Sequence, residues 1–551
     1  MKSLRTLISL AFISLGVQAF AQDLGNFYGG FESNSQWLQD DQDLGFTAPK
    51  DQFRSNNYFL LNYEQGKFKA GLQYESYLPR PMLGYDPVLE GNQIANYYVN
   101  FTDKSLDITA GYFYEQFGSG LILRAWENRQ LGINTALKGV RVKYDFTDFW
   151  NVTGVYGEQR VGFETSDGVI QGVDTSLDLG QLLSVKDLFV DLGGSYVSRY
   201  QDNNGIAKIP TTVNAYAGRV DLFYKNFYAN FEGVYKEPDV LANEGQITNN
   251  ANLYKGNALL LTLGYAKSGL GISSTLRRLE NFSFFADRLA EGNQFNRQRI
   301  NYVPALTKQH DYLLSNIYVY NPQPRLLMLD TQQAGEMGGQ LDIYYTIKKE
   351  TALGGKYGTK LSANFAYWGG LDAEFDVDTD SYSSKFIGSG GPRYFREATL
   401  EIKKRWNKEL SGIYYYTNTR IDKGITDGSP LGVKDIKANI AVAEHTYRLG
   451  NGKSVRLELQ HLWTEQDRKN WAASVLEYNF SSSFGLYAAD SWNYGGEGEI
   501  HYYNVGGSYT QGRTRVALNY GRQRGGLICV GGVCRFVPEN TGLTLNLTTS
   551  F

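Results

Sequence analysis

Cysteine, histidine and proline are all scarce in this chain of 551 residues: two, four and 12 of each. Two cysteines, Cys529 and Cys534, with no histidine near them argue against a metal centre. Long apolar runs are missing too. Beyond residue 22 no stretch of about 18 apolar residues occurs, so no membrane-crossing helix is expected. No basic tract stands out against a net charge of −3, so no nucleic-acid partner is expected. A Pro/Ser linker, a low-complexity run and a sequence repeat are also lacking, so a second domain is not expected.

What is there begins with a leader. Met1-Lys2-Ser3-Leu4-Arg5 is basic, Leu7 to Val17 is apolar, and Ala19-Phe20-Ala21 has the small-x-small form of a cleavage site. Residues 1–21 therefore read as a secretory signal peptide, removed before Gln22, and residues 22–551 as the mature chain. No cysteine stands at the cleavage site, so a lipid-anchored end is not expected. An exported chain without apolar helices is either soluble or a closed barrel, since only a barrel satisfies its backbone in a bilayer by strands alone.

Composition favours the barrel. Tyrosine (41), phenylalanine (30) and glycine (61) are abundant, while the mean hydropathy is −0.38. Such a value suits strands that show lipid only every second residue. The period is close to two almost everywhere. Leu106, Ile108, Ala110, Tyr112 and Tyr114 alternate with Asp107, Thr109, Gly111 and Phe113. Phe227, Ala229, Phe231, Gly233 and Tyr235 alternate with Tyr228, Asn230, Glu232 and Val234. Val455, Leu457, Leu459, His461 and Trp463 alternate with Arg456, Glu458, Gln460 and Leu462.

Connections sort by parity. Tight joints at 64–67, 102–105, 147–149, 224–226, 267–269, 407–409, 450–452, 481–483 and 511–513 alternate with long polar ones at 38–56, 77–93, 117–136, 237–256, 280–336, 370–392 and 422–432. Short periplasmic turns and long outer loops are the outer-membrane pattern. Keeping both ends periplasmic requires one more strand near 167–174. The expectation is an all-β, transmembrane antiparallel β-barrel of roughly 24 strands in the cell outer membrane, surrounded by outer-membrane lipid. Alternation starting near Tyr28 leaves no room for an N-terminal plug domain, against a TonB-dependent transporter.

Few residues suggest chemistry. The only cysteines lie in the last outer loop, in Cys529-Val530-Gly531-Gly532-Val533-Cys534, and an oxidising export route favours a small disulfide there. His310, His445, His461 and His501 form no metalloprotease pattern, and Gly388-Ser389-Gly390-Gly391 is not a nucleophile elbow. No enzyme and no cofactor are expected. Asp376-x-Asp378-x-Asp380 begins like a calcium loop, but Ser381 replaces the required glycine and Ile387 the final acid. The longest loop, 280–336, holds the best candidates: Arg288, Arg297, Arg299, Tyr302 and His310. It is expected to constrict the lumen, cap the barrel or meet a protein partner.

The last segment places Leu543, Leu545, Leu547, Thr549 and Phe551 on one face. It resembles the C-terminal signal read by outer-membrane barrel assembly machinery, which implies that machinery as a partner during biogenesis. Tyr114-Glu115-Gln116-Phe117-Gly118-Ser119-Gly120-Leu121, Thr275-Leu276-Arg277-Arg278-Leu279-Glu280-Asn281 and Pro304-Ala305-Leu306-Thr307-Lys308-Gln309-His310, with the terminal cysteine hairpin, are similar to an uncharacterised outer-membrane barrel family of the Bacteroidota. The resemblance implies fold and location and carries no catalytic residues. The expected function is a porin-like channel or a barrel plugged by its own loops. The alternative is a non-conducting accessory subunit of an outer-membrane assembly or secretion complex.

Overall fold

The computed structural model describes residues 25–551, apart from 186, 204, 207, 244–245, 248–251, 291–294, 329–331, 389–390 and 427–434. The expected leader and its cleavage site lie outside the described residues.

Twenty-four antiparallel strands form one sheet. The first, Asn26–Gln39, pairs with Phe53–Gln65 on one side and with the last, Asn540–Ser550, on the other, so the sheet closes into a barrel. Closure leaves no strand edge with unpaired backbone groups, which is what a bilayer demands. Phe551 completes the seam. Its N–H donates to the Gly29 carbonyl at 3.1 Å, and the Gly29 N–H donates back at 3.3 Å. A side chain at Gly29 would meet the Phe551 ring at 2.8 Å, so glycine there makes room for that ring.

The alternating faces point as expected. Phe227, Phe231, Tyr235, Leu457, Leu459 and Trp463 are exposed on the outside, whereas Glu232, Val234, Glu458, Gln460 and Leu462 are buried on the inside. Aromatic pairs gather at the short-turn rim: Phe68 with Phe101 at 5.0 Å, Phe146 with Trp150 at 4.4 Å, Phe227 with Tyr265 at 4.8 Å and Phe480 with Phe484 at 5.2 Å. Trp37, Trp463 and Trp492 are exposed near the other rim. These are the two interfacial girdles of a membrane barrel, and they put the chain in an outer membrane.

The required extra strand is Glu164–Asp178. Turn parity holds with three exceptions. The joint between strands ending at Val161 and beginning at Glu164 lies on the long-loop side yet has only two residues between. On the short-turn side, 179–187 contains the helical turn Leu179–Leu182, capped by Asp178, which accepts from the Gln181 N–H at 2.9 Å. The 348–358 connection on that side is long as well.

The lumen is filled from the outer side by the chain's own loops. A barrel this wide cannot be packed by wall side chains alone. In its outer half the inward face mixes apolar stripes, Ile436, Ala438, Ile440 and Val442 on one strand and Ala366 and Trp368 on another, with buried ion pairs such as Arg160–Glu75 at 2.6 Å and Arg199–Asp239 at 2.5 Å. In its periplasmic half that face is ionic. Arg456 lies within 3.4 Å of Glu444, 2.7 Å of Glu458 and 3.1 Å of Glu477, and Arg141 lies 2.6 Å from Asp107.

Candidate functional site

The long connection between strands Leu270–Glu280 and Gly335–Ile347 enters the lumen and crosses it. Its first half, through Phe282, Phe284, Ala286, Ile300 and Val303, packs on inward residues Ile170, Val197, Val213, Val234 and Ala258 of one wall. Its second half, through Tyr312, Leu314, Tyr318 and Tyr320, packs on Trp368, Phe395, Ile436, Ile440 and Trp471 of the wall on the other side of the loop's own two strands. Burying aromatic and aliphatic side chains on both sides supplies the cohesion. The tip passes the middle of the wall. Lys308 Nζ donates to the Tyr344 hydroxyl at 2.7 Å, eight residues below Glu336 on the same strand, or about 27 Å along it.

Polar groups on the wall fix the loop in place. Arg277 and Glu336 form a fully buried ion pair at 2.6 Å. Arg277 also donates to the Pro304 carbonyl at 2.6 Å, while Glu336 accepts from the Gln323 N–H at 2.7 Å and from the Tyr320 hydroxyl. One wall pair thus holds the loop at three points. Gln460 accepts from the Leu314 N–H at 2.9 Å, Trp368 Nε1 donates to the Leu306 carbonyl at 3.1 Å, and Gln159 donates to the Arg299 carbonyl at 2.9 Å. Buried ions need such partners, and buried backbone groups need such donors and acceptors.

Two further outer loops complete the plug. The 114–136 connection buries Phe117, Leu121, Ile122 and Leu123, and Arg124 N–H donates to the Ile300 carbonyl at 2.8 Å. The hairpin Gly526–Val530/Val533–Val537, closed by the Cys529–Cys534 disulfide, reaches the same loop. The Ala305 N–H donates to the Gly532 carbonyl at 2.8 Å. Gly532 has φ +82°, and a side chain there would meet the Ala305 carbonyl at 2.6 Å, so glycine permits this approach.

The five candidates of the long loop fall at different depths. Arg288 is an anchor near the outer rim, donating to the carbonyls of Asp202 at 3.3 Å and Pro210 at 2.6 Å, and its buried guanidinium has its pKa held down by desolvation and by nearby Arg199. Arg297 stays partly exposed 3.4 Å from Asp86. Arg299 lies over the Phe285 ring. Tyr302 donates to the Gly531 carbonyl at 2.9 Å and lies 3.8 Å from the Arg124 guanidinium. His310 sits deepest, between Tyr312 and Tyr415. Burial lowers its pKa to about 4, with Lys308 and Lys403 opposing its charge and Glu401 and Asp311 favouring it. The structure does not gather these residues into one constriction ring; they are separate fixing points.

Sequence reasoning missed the wall residues that fix the loop, Glu336 and Arg277 above all, and the inward course of 114–136. The apolar run Leu121-Ile122-Leu123 within an outer loop was a readable signal for the latter. Among the other candidates, His501 Nδ1 lies 2.7 Å from Asp490 and His461 Nε2 2.8 Å from the Tyr494 hydroxyl. The Asp376 carboxylate is engaged by the N–H groups of Asp378 and Thr379, within the turn of a small hairpin. Among the described residues no group of three or more His, Cys, Asp or Glu side chains is placed to hold a metal.

The chain is similar to several solved structures. One is the Escherichia coli P pilus tip assembly intermediate PapC-PapD-PapK-PapG, with 9% identity, a TM-score of 0.51 and 96% of this chain covered. This chain spans 61% of the length of that one. The siderophore receptor PirA of Pseudomonas aeruginosa is 8% identical over 96% of this chain and 81% of its own, with a TM-score of 0.41. A BenF-like porin of Pseudomonas fluorescens Pf-5 is 9% identical over 96% of this chain and 98% of its own, with a TM-score of 0.36. No curated protein matches. Residues 1–551 match throughout the family described as a family of unknown function, DUF6029, and the chain belongs to that family.

Proposed function

We propose that this protein is a porin-like outer-membrane barrel held closed by its own loops, with a polar vestibule open to the periplasm. The observation that carries the reading is the crossing of the lumen by 281–334, with apolar packing on both walls and the buried Arg277–Glu336 pair between. Apolar packing and ionic grip together make a two-state element, seated or withdrawn, of the kind a gate requires. The ionic periplasmic half suits a water-filled passage once the loop withdraws. We further infer a source among the Bacteroidota, from the sequence segments quoted above.

A second reading has its own support. The plug is a thick core and not a thin constriction, which suits a non-conducting accessory subunit of an assembly or secretion complex. Planar-bilayer recording of the purified protein separates the two. Long closed periods broken by brief steps support the gated barrel. Continuous large conductance contradicts a closed lumen. Silence under all voltages, with partner proteins co-purifying in mild detergent, supports the subunit.

A further inference from the structure

A cavity of about 650 Å³ lies in the outer half, between the second half of the lumen loop, the cysteine hairpin, the outer end of the strand that holds Ile421 and the 464–470 connection. Its volume is in the range of small-molecule sites. Among the described residues its lining holds more cations than anions: Arg299, Arg325, Lys423, Arg468, Arg524 and Arg535 beside two carboxylates, Asp467 and Glu539.

Both carboxylates are already engaged. Asp467 lies 3.2 Å from Lys423 and accepts from the Tyr318 hydroxyl at 3.3 Å. Glu539 lies 3.3 Å from Arg468 and accepts from the Tyr502 hydroxyl at 2.9 Å. The guanidinium of Arg524 donates to the carbonyls of Gly525 and Asn316, each at 2.9 Å. Buried Arg535 donates to the carbonyls of Gln130 at 3.1 Å and Gly84 at 2.5 Å, and lies 4.1 Å from the Tyr85 ring. Carbonyl dipoles satisfy hydrogen bonds but leave the net charge in place. Keeping two arginines in a packed region on these terms is costly for the fold alone. The same charges, beside a cavity, raise the local concentration of an anion.

We propose that this cavity binds a small solute bearing carboxylate or phosphate groups, with Arg524 and Arg535 supplying charge that Asp467 and Glu539 leave uncompensated. The disulfide-closed hairpin carries Arg535 and forms one side of the site. An occupant would bridge the lumen loop and the hairpin, and so hold the plug seated.

The test is isothermal titration of the full-length barrel in a non-ionic detergent, with citrate and pyrophosphate as probes and glucose as the neutral control. Saturable binding of either anion supports the site, and the preferred anion identifies its chemistry. Arg524→Gln and Arg535→Gln are each expected to weaken it at least about tenfold, the scale of one charge-assisted hydrogen bond. Glu539→Gln removes a competing acid and is expected to tighten binding, an outcome that misfolding cannot mimic. Binding weakens with added salt. Absence of saturation by both anions overturns the proposal, and so does binding that all three substitutions leave unchanged. Because binding is read without conductance, its failure leaves the closed-barrel reading standing.

Discussion

Glu336 is the residue on which the seating of the lumen loop depends most. Its carboxylate is fully buried between Arg277, Tyr320 and the Gln323 N–H. Glu336→Gln leaves Arg277 buried without its counter-charge, which costs about 3–5 kcal/mol. The expected result is faster hydrogen exchange across 304–323, by roughly two to three orders of magnitude, with barrel strands unchanged. Adding Arg277→Met to that variant restores part of the protection, since an apolar side chain does not need the partner. His310 adds a pH dependence whose sign is fixed. Seated, its pKa is about 4; withdrawn into water it returns to about 6.5. The withdrawn state therefore binds the extra proton, and seating weakens as pH falls from about 6.5 toward 4. The charged groups facing it are Lys308 and Asp311 on the loop and Glu401 and Lys403 on the wall, with Tyr312 and Tyr415 against the ring. Protection factors at 304–312, corrected for the intrinsic exchange rate at each pH, are expected to be lower at pH 5 than at pH 7, and His310→Gln to remove the difference.

At the scale of elements, strands were legible and their lumen contacts were not. The alternation of Val455–Trp463 fixes an inside and an outside because side chains in a strand repeat every two residues. It does not say what the inside meets. Ile436, Ala438, Ile440 and Val442 carried the missing signal, an apolar stripe on the inward parity, opposite Lys437 and Asn439 on the outward one. Glu336 and Arg277 were invisible as a pair, since 59 residues separate them and only barrel register brings them together. Two elements give direct tests. Reduction of Cys529–Cys534 frees a five-residue separation whose closure contributes about 2 kcal/mol. Proteolysis within 524–539 should rise on reduction while barrel melting stays constant. At the seam, Gly29→Val brings a side chain against both the Leu60 carbonyl and the Phe551 ring, so it breaks the pairing on which closure rests. Heat-modifiable mobility on cold SDS gels should then show most of the chain unassembled, as should deletion of Phe551; full assembly of both would remove the seam from the account.

At the scale of the molecule, the barrel is a wall in two layers. Its periplasmic half is ionic and its outer half is lined to receive the chain's own loops. The long loop is not an appendage of the pore but the outer half's core, as aromatic and as buried as a soluble domain's interior. The central claim is that this core closes an otherwise continuous lumen. The most direct test is to replace residues 283–332 by a short Gly/Ser linker and to record the purified, heat-modifiable barrel in planar bilayers beside the intact protein. Steady, large conductance steps are expected from the shortened barrel and mostly closed traces from the intact one. Equal traces from the two, whether both open or both silent, would contradict the claim.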